Sequence, residues 1–316
     1  MKFGRKYVRN YVGNLFQQYK ININTKICIN IMEKLKFRKL EEPLLKWIGG
    51  KRKLLDNILP KFPEKIRHYH EMFVGGGSVL FRFLWLVKNK KIDVKKIYAY
   101  DSNEILIAFY KQVKDDYNKL YETIMKIKTA GEKCDKSEYY YYIRQSYNSS
   151  QEINIGRIAE FVYLNKSCFR GVFRLNKKGG FNVPYGNYKN PEIINLDHLK
   201  NISEKIQNVN FICCDFEDIK SIRKDDFVYM DPPYVPEKKG GFVDYSKHGF
   251  TKEKHDALFK ICNKMKCKWI LSNSNTEAVR EALKKFNIEE IVARRAINSK
   301  NPAAKTKEVI IYNYPL

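Results

Sequence analysis

The sequence has no apolar run approaching the 18 or more residues of a membrane-spanning helix, so no membrane partner is expected. Its amino-terminal stretch is basic. That stretch has neither the apolar segment nor the small-residue cleavage site of a secretory signal. Cysteine is present without a pattern: seven thiols, an odd number, none in a CxxC pair. Structural zinc sites need paired ligands at finger spacings, so no metal is expected. Free thiols in a reducing compartment are the simplest reading, which makes the protein intracellular and not secreted. Acidic residues are also scarce, 35 against 60 Lys and Arg, which leaves a formal charge of +25 and a pI near 9.6.

What is present is enough for a folded chain. With 316 residues, 44% hydrophobic and 14% aromatic, the protein can bury a real core as one large domain or two ordinary ones. That composition excludes a disordered polyelectrolyte. A folded, strongly basic protein points to a polyanionic partner, nucleic acid first. Lys supplies 46 of the 60 basic residues, and Asn, Ile and Tyr are abundant too. All four have A/T-rich codons, so codon drift accounts for part of the charge without any function. Nothing in the sequence fixes an oligomeric state.

Residues 1–40 form a basic lead segment, rich in Asn and Lys, to which no function is assigned. From Pro43 the pattern sharpens. Leu44 to Ile48 is followed by Gly49, Gly50, Lys51 and Arg52, then by a helical stripe of Leu54, Leu55, Ile58 and Leu59. A strand is read over His70–Val74, running into Gly75, Gly76, Gly77 and Ser78, with Ser78 capping a helix that continues to Lys88. A second strand over Lys96–Tyr100 ends on Asp101, and a long helix follows from about Asn103 to Lys128. Helices are expected at Glu138–Asn148 and Ile155–Asn165, then a loop-rich basic region from Lys166 to Asn190. Strands at Asn210–Cys214 and Phe227–Met230 end on Asp215 and Asp231. Helices at Thr251–Lys266 and Glu277–Lys285 flank a strand at Lys268–Ser272, and strands at Ile288–Ala293 and Glu308–Tyr314 close the chain. The expected architecture is one mostly parallel α/β sheet, residues 41–129 and 205–316, interrupted by a mainly helical basic insert at 130–204.

Two elements carry chemistry. Glycines between a strand and a helix bring backbone close to a ligand, or serve packing alone. Asp101 lies 24 residues past Gly77, at the end of the next strand, where a carboxylate accepts from ribose hydroxyls. The full dinucleotide fingerprint is missing, so a nucleoside cofactor such as S-adenosylmethionine suits the unit better than NAD. The second element is Asp231-Pro232-Pro233-Tyr234 after an apolar strand. Two prolines stop the strand and remove two backbone donors. They leave the Asp231 carboxylate and a proline carbonyl as acceptors, suited to the two protons of an exocyclic amine, with Tyr234 beside them to stack on the base. At the carboxyl end of a sheet strand this is where ligands bind.

With these blocks in this order the chain resembles the Dam-type family of DNA adenine-N6 methyltransferases, over about residues 44–312. The matching blocks are Leu45 to Lys51, Phe73 to Ser78, Asp101 with Asn103, Tyr163 to Gly171, Gly180 to Gly186, Asp231 to Tyr234, and Ser272 with Asn273. The resemblance implies a Rossmann-like S-adenosylmethionine-dependent methyltransferase sheet with the insert as its DNA-recognition domain. It implies methyl transfer to N6 of a flipped adenine in double-stranded DNA. Trp47, Lys51, Phe73, Gly75, Gly77, Asp101, Asp215, Phe216 and Asp231 fall at its cofactor positions, with Lys51 near the methionine carboxylate. Asp231, Pro232, Pro233 and Tyr234 fall at its catalytic positions. Lys46 and Arg174 match its DNA contacts, and Phe169 and Arg170 its base-reading loop. GATC or a related short site is the implied target, although Arg170 stands where many GATC-reading relatives carry Asn. Met72 likewise stands where the family often has Pro.

Further expectations concern DNA and closure. Lys166, Lys177, Lys178, Arg294, Arg295, Lys300, Lys305 and Lys307 are candidate phosphate contacts. The segment 235–249, with Phe242, Tyr245 and the following Phe250, is a candidate lid. A motif that binds amines in general leaves cytosine N4 and RNA adenine as rival substrates, and a catalytically silent DNA-binding subunit is a rival of another class. Partnership with a restriction enzyme is left open.

Overall fold

A computed structural model describes residues 42–220, 222–236, 250–294 and 305–316. The lead segment, most of the candidate lid, and Arg295 and Lys300 lie outside the described residues.

The first helix among the described residues, α1 (Leu55–Ile58), is a single turn of the predicted apolar stripe that packs inward. Strand β1 (Lys65–Glu71) starts five residues earlier than the apolar pattern suggests and stops before the glycines. Its first half alternates charged and buried residues, so composition hides it. Helix α2 (Ser78–Lys88) follows. Its cap is Gly77, at φ +75°, with no side-chain cap bond, so Ser78 is the first helical residue and not the cap. Strand β2 (Asp93–Asp101) leads to the long helix α3 (Glu104–Gly131), capped by the Asn103 side chain on the Leu106 N–H. Its stripe of Ile105, Leu106, Phe109, Val113, Leu120 and Ile124 is fully buried, each side chain contributing about 1.5–3 kcal/mol by leaving water. Asp116 interrupts it with non-helical backbone angles.

The segment expected to form the insert, together with the residue after it, carries α4 (Lys136–Ser149), α5 (Ile155–Ser167) and α6 (Leu196–Lys205). Asp135, Asn154 and Asn195 cap them through their side chains, each cap contributing about 1 kcal/mol. Helix α6 is absent from the sequence expectation, because its apolar positions are few. Strands β3 (Val209–Cys213) and β4 (Phe227–Met230), helix α7 (Lys252–Lys264), strand β5 (Lys268–Ser274), helix α8 (Glu277–Ala282), and strands β6 (Asn287–Arg294) and β7 (Lys305–Tyr312) complete the chain.

The seven strands form one sheet in the order β3-β2-β1-β4-β5-β7-β6. All neighbours are parallel except β7, which runs antiparallel to both β5 and β6. Strand order reverses between β1 and β4, and a crevice opens outside their carboxyl ends, the place where such sheets bind ligands. The insert does not stand apart. Phe161, Phe173 and Phe181 share one buried cluster with Tyr69, Phe83 and Phe109 of the sheet and its helices. Among the described residues no helix is long and apolar enough to cross a membrane.

Where β1 passes the start of β4, ligand-type atoms of His68, His70 and Asp226 lie within 4.8 Å of one another. Arg67 Nη1, 3.1 Å from Asp226 Oδ1, and the Arg223 backbone N–H, 2.7 Å from Oδ2, already engage that carboxylate. Burial and the neighbouring Arg67 lower the pKa of His68, and Lys96 and Arg223 act in the same direction. That surrounding charge disfavours a divalent cation there.

Candidate active site

Residues on both sides of the crevice line one cleft of about 2180 Å³. Trp47, Lys51, Phe73, Gly75, Asp101, Asp215, Phe216 and Asp231 to Tyr234 all face it, as do Lys46 and Arg170. The sequence blocks thus converge in space although almost 190 residues separate the first from the last.

The glycine loop follows β1. Gly75 and Gly77 have φ of +47° and +75°, which L side chains rarely adopt. A Cβ at Gly76 would lie 2.8 Å from Trp47 Cβ, and one at Gly77 would lie 2.9 Å from the Phe81 ring. Close packing therefore requires small residues at both positions. Asp101 closes the loop: its two oxygens accept the N–H groups of Gly75 and Asn103, each at 3.0 Å. Burial raises its pKa, and those two bonds oppose the rise. Each carboxylate oxygen has a second lone-pair site, so both retain acceptor capacity.

Beyond β3, Asp215 caps a short 3₁₀ turn, Phe216–Asp218. Its Oδ2 lies 3.0 Å from Lys254 Nζ of α7, which also pairs with Glu217. Phe216 packs against Phe73 and Phe250, with ring centroids 5.5 and 5.6 Å away. These rings make an aromatic wall at one end of the cleft.

Asp231 follows β4, whose four residues are all buried. Asp231 Oδ1 is buried without a directed hydrogen bond, and the 17% exposure of the side chain lies elsewhere on it. Lys51 Nζ, 2.7 Å from Oδ1, pairs with it by charge while donating to the Gly49 carbonyl. The same ammonium lies 4.6 Å from the Tyr234 ring centroid. Burial pushes the Asp231 carboxyl up to about 6, against the pull of Lys51. Deeper still, burial lifts Glu71 to about 8, so it is neutral near pH 7; Tyr69 donates to its Oε2 at 2.7 Å.

The Pro-Pro segment is clamped from β5. Asn273 Oδ1 accepts the Val235 N–H at 3.1 Å, and Ser274 Oγ donates to the Val235 carbonyl at 2.6 Å. The Tyr234 hydroxyl donates to Glu308 Oε2 at 2.7 Å. Sequence reasoning placed Asn273 in a matching block without a role and missed Glu308. An acid within the last strand carries no local signal, because only the sheet order brings it here.

The insert meets the cleft at Lys46. Asn165 accepts the Lys46 N–H and donates to its carbonyl, while Lys46 Nζ donates to the Lys166 carbonyl and lies 3.8 Å from the Tyr188 ring centroid. Burial lowers Lys166 to about 8. Phe169 is 49% exposed, and Arg170 beside it is held at φ +56°, its guanidinium 5.2 Å from the Phe169 ring. Gly171 is obligatory here, since a Cβ would fall 2.2 Å from Lys46 Cβ. Arg174 is exposed, its Nε bonded to Asn182 Oδ1 at 2.8 Å. Of the other candidate phosphate contacts, Lys307 is paired with Glu290 at 2.8 Å.

Comparison with known proteins decides the family. The model of D12 class N6 adenine-specific DNA methyltransferases matches residues 47–297. The chain belongs to this family. Type II methyltransferase M.MjaIII of Methanocaldococcus jannaschii is 38% identical over 291 residues, covering 86% of this chain and 99% of that protein. DNA adenine methylase of Escherichia coli K12 is 32% identical over 282 residues, covering 87% of this chain and 96% of that one. This methyltransferase is thus an adenine-specific DNA methyltransferase, and its methyl donor is S-adenosylmethionine. The cleft fits that cofactor chemically. It offers an aromatic wall for a purine, carboxylates with spare acceptor capacity for hydroxyls, and an ammonium for a carboxylate.

Proposed function

We propose that the enzyme acts on double-stranded DNA, reads its site with the insert at 130–204, and methylates an adenine flipped into the pocket of Asp231, Pro232, Pro233 and Tyr234. The observation that carries this reading is the arrangement around Lys51. Its ammonium, an N–H donor, faces a buried acceptor on Asp231 and lies near the Tyr234 ring. A pocket that holds an ammonium this way suits the exocyclic amine of a base that stacks on the same ring.

Flipping costs a few kcal/mol, and stacking on Tyr234 offsets about 1–3 kcal/mol of it. Asp231 and the Pro232 carbonyl accept the two amine protons, which directs the nitrogen lone pair outward and stabilises the positive charge that develops on it. S-adenosylmethionine supplies an electrophilic methyl group. In the transfer the amine lone pair would form the C–N bond as the donor's C–S bond breaks, its electron pair leaving on sulfur as a neutral thioether, and the methylated amine would lose one proton, which Asp231 is placed to take. Catalysis is positioning and electrostatics, with no covalent enzyme intermediate. Phe216, backed by Phe73, and Asp215 would bracket the adenine end of the cofactor, Asp101 would hold the ribose, Trp47 would give apolar contact, and Gly75 and Gly77 would let the loop close in. Lys51, now paired with Asp231, would hold the methionine carboxylate, and that exchange of partners would free Asp231 for the base. Lys46, Phe169, Arg170 and Arg174 face the DNA; the exposure of Phe169 and the anchored head of Arg174 support this.

Asp231→Ala tests the pocket. Methyl transfer falls below detection while duplex binding, measured by fluorescence anisotropy, stays within a few-fold of the wild type. Retained methylation would contradict the role of Asp231.

A further inference from the structure

We infer that Glu308 is a positioning residue for the target base, acting through Tyr234. The inference rests on the reading of Tyr234 as the surface on which the flipped base stacks.

The backbone around Tyr234 is already fixed. Two prolines precede it, and Asn273 and Ser274 hold the N–H and carbonyl of Val235 at 3.1 and 2.6 Å. The remaining freedom is rotation of the ring. Its hydroxyl donates to Glu308 Oε2 at 2.7 Å, which ties down the far end of the side chain. A bond to a carboxylate is about twice as strong as one between neutral groups. With both ends held, the ring presents one face to the cleft, and little ordering is left to be done when the base arrives.

Topology explains why the anchor comes from here. In β7, Glu308 stands opposite Ser274 of β5 and Ile291 of β6. Because β7 is antiparallel, its first residues, rather than its last, reach the carboxyl edge of β4 and β5. Its neighbour Lys307 is instead engaged with Glu290 of β6 at 2.8 Å, consistent with side chains alternating along a strand. A second carboxylate near Asp231 also carries an electrostatic cost, for it helps push the Asp231 proton affinity up. A residue serving packing alone would avoid that cost by being neutral.

The test is a cycle of Glu308→Ala, Tyr234→Phe and the double variant, with Glu308→Gln as the conservative replacement. Two readouts apply: the single-turnover methylation rate at saturating cofactor, and time-resolved fluorescence anisotropy of 2-aminopurine at the target position with S-adenosylhomocysteine bound. Wild type is expected to expel the probe from the stack and hold it without fast local motion. Glu308→Ala and Tyr234→Phe should each slow the rate about 10-fold and release fast local motion of the probe, with the cofactor KM unchanged. The double variant should be no slower than either single one, and Glu308→Gln should recover most of the rate. An unchanged rate and held probe in Glu308→Ala, or multiplicative losses in the double variant, would overturn the inference. Should the alanine variant not fold, Tyr234→Phe and Glu308→Gln decide: a loss in Tyr234→Phe with the rate kept in Glu308→Gln supports the anchor, whereas a full loss in Glu308→Gln with Tyr234→Phe unchanged would point to charge alone and overturn it. If wild type itself leaves the probe mobile, the stacking reading fails and the inference with it; failure confined to the Glu308 variants overturns the inference alone.

Discussion

Replacing Lys51 by methionine removes the ammonium 2.7 Å from Asp231 Oδ1 while retaining most of the apolar stem. Burial raises the Asp231 carboxyl to about 6, and the Lys51 ammonium is the main influence opposing that rise. A close opposite charge lowers a carboxyl by about 1–3 pH units, so its loss moves the midpoint up by a similar amount. The carboxylate must be ionised to accept the amine protons. Activity therefore rises with pH through about 6 in the wild type, and at a midpoint about 1–3 units higher in the variant. For a shift of about two units, the ionised fraction at pH 7 falls from about 0.9 to about 0.1, a roughly tenfold loss that is regained near pH 9. The assay is kcat/KM for duplex DNA across pH 5 to 9.5 with labelled methyl donor held well below its own KM, so that the ratio reports the groups of the cofactor-free enzyme. A midpoint that does not move, or a loss of the same size at every pH, would refute the charge coupling. The second result would leave Lys51 a cofactor ligand only.

Two other outcomes follow from single side chains. Glu71 is raised from its ordinary 4.5 to about 8 in the folded state, so its contribution to stability is full below pH 4.5 and is lost as pH rises through 8. Glu71→Gln removes up to about 1.4 kcal/mol per pH unit of slope in that window, and thermal melts that keep the wild-type slope between pH 5 and 8 would contradict it. Arg174→Ala is expected to cost about 1–3 kcal/mol at one base pair and relax selection there, read by methylation of a library of sites; uniform weakening across all sites would make Arg174 a phosphate contact.

Much of the site was legible because its chemistry is local. The Asp-Pro-Pro-Tyr run after an apolar strand, the glycines after β1 and the acid ending β2 each carry their signal within a few residues, and the structure brings them to one cleft. The start of β1 is missed because Lys65, Arg67 and His68 mask its extended pattern. Ser78 looked like a cap, but the left-handed backbone of Gly77 begins the helix. Glu308 was invisible for another reason: its partner Tyr234 is 74 residues away, and only an antiparallel β7 beside β5 joins them. The Lys51–Asp231 pair is likewise non-local, bridging an amino-terminal loop and the end of β4. The opening charge now has a definite substrate in DNA. The loop proposed to read bases presents the exposed Phe169 and Arg170, with Arg170 held in a left-handed conformation.

The most direct test of the account is the product itself. The full chain is incubated with duplex DNA of mixed sequence and S-adenosylmethionine, the DNA is digested to nucleosides, and these are weighed by mass spectrometry, with Asp231→Ala as the paired control. The account predicts N6-methyladenine, no N4-methylcytosine, and no product from the control. Methylated cytosine, or equal N6-methyladenine from Asp231→Ala, would contradict it.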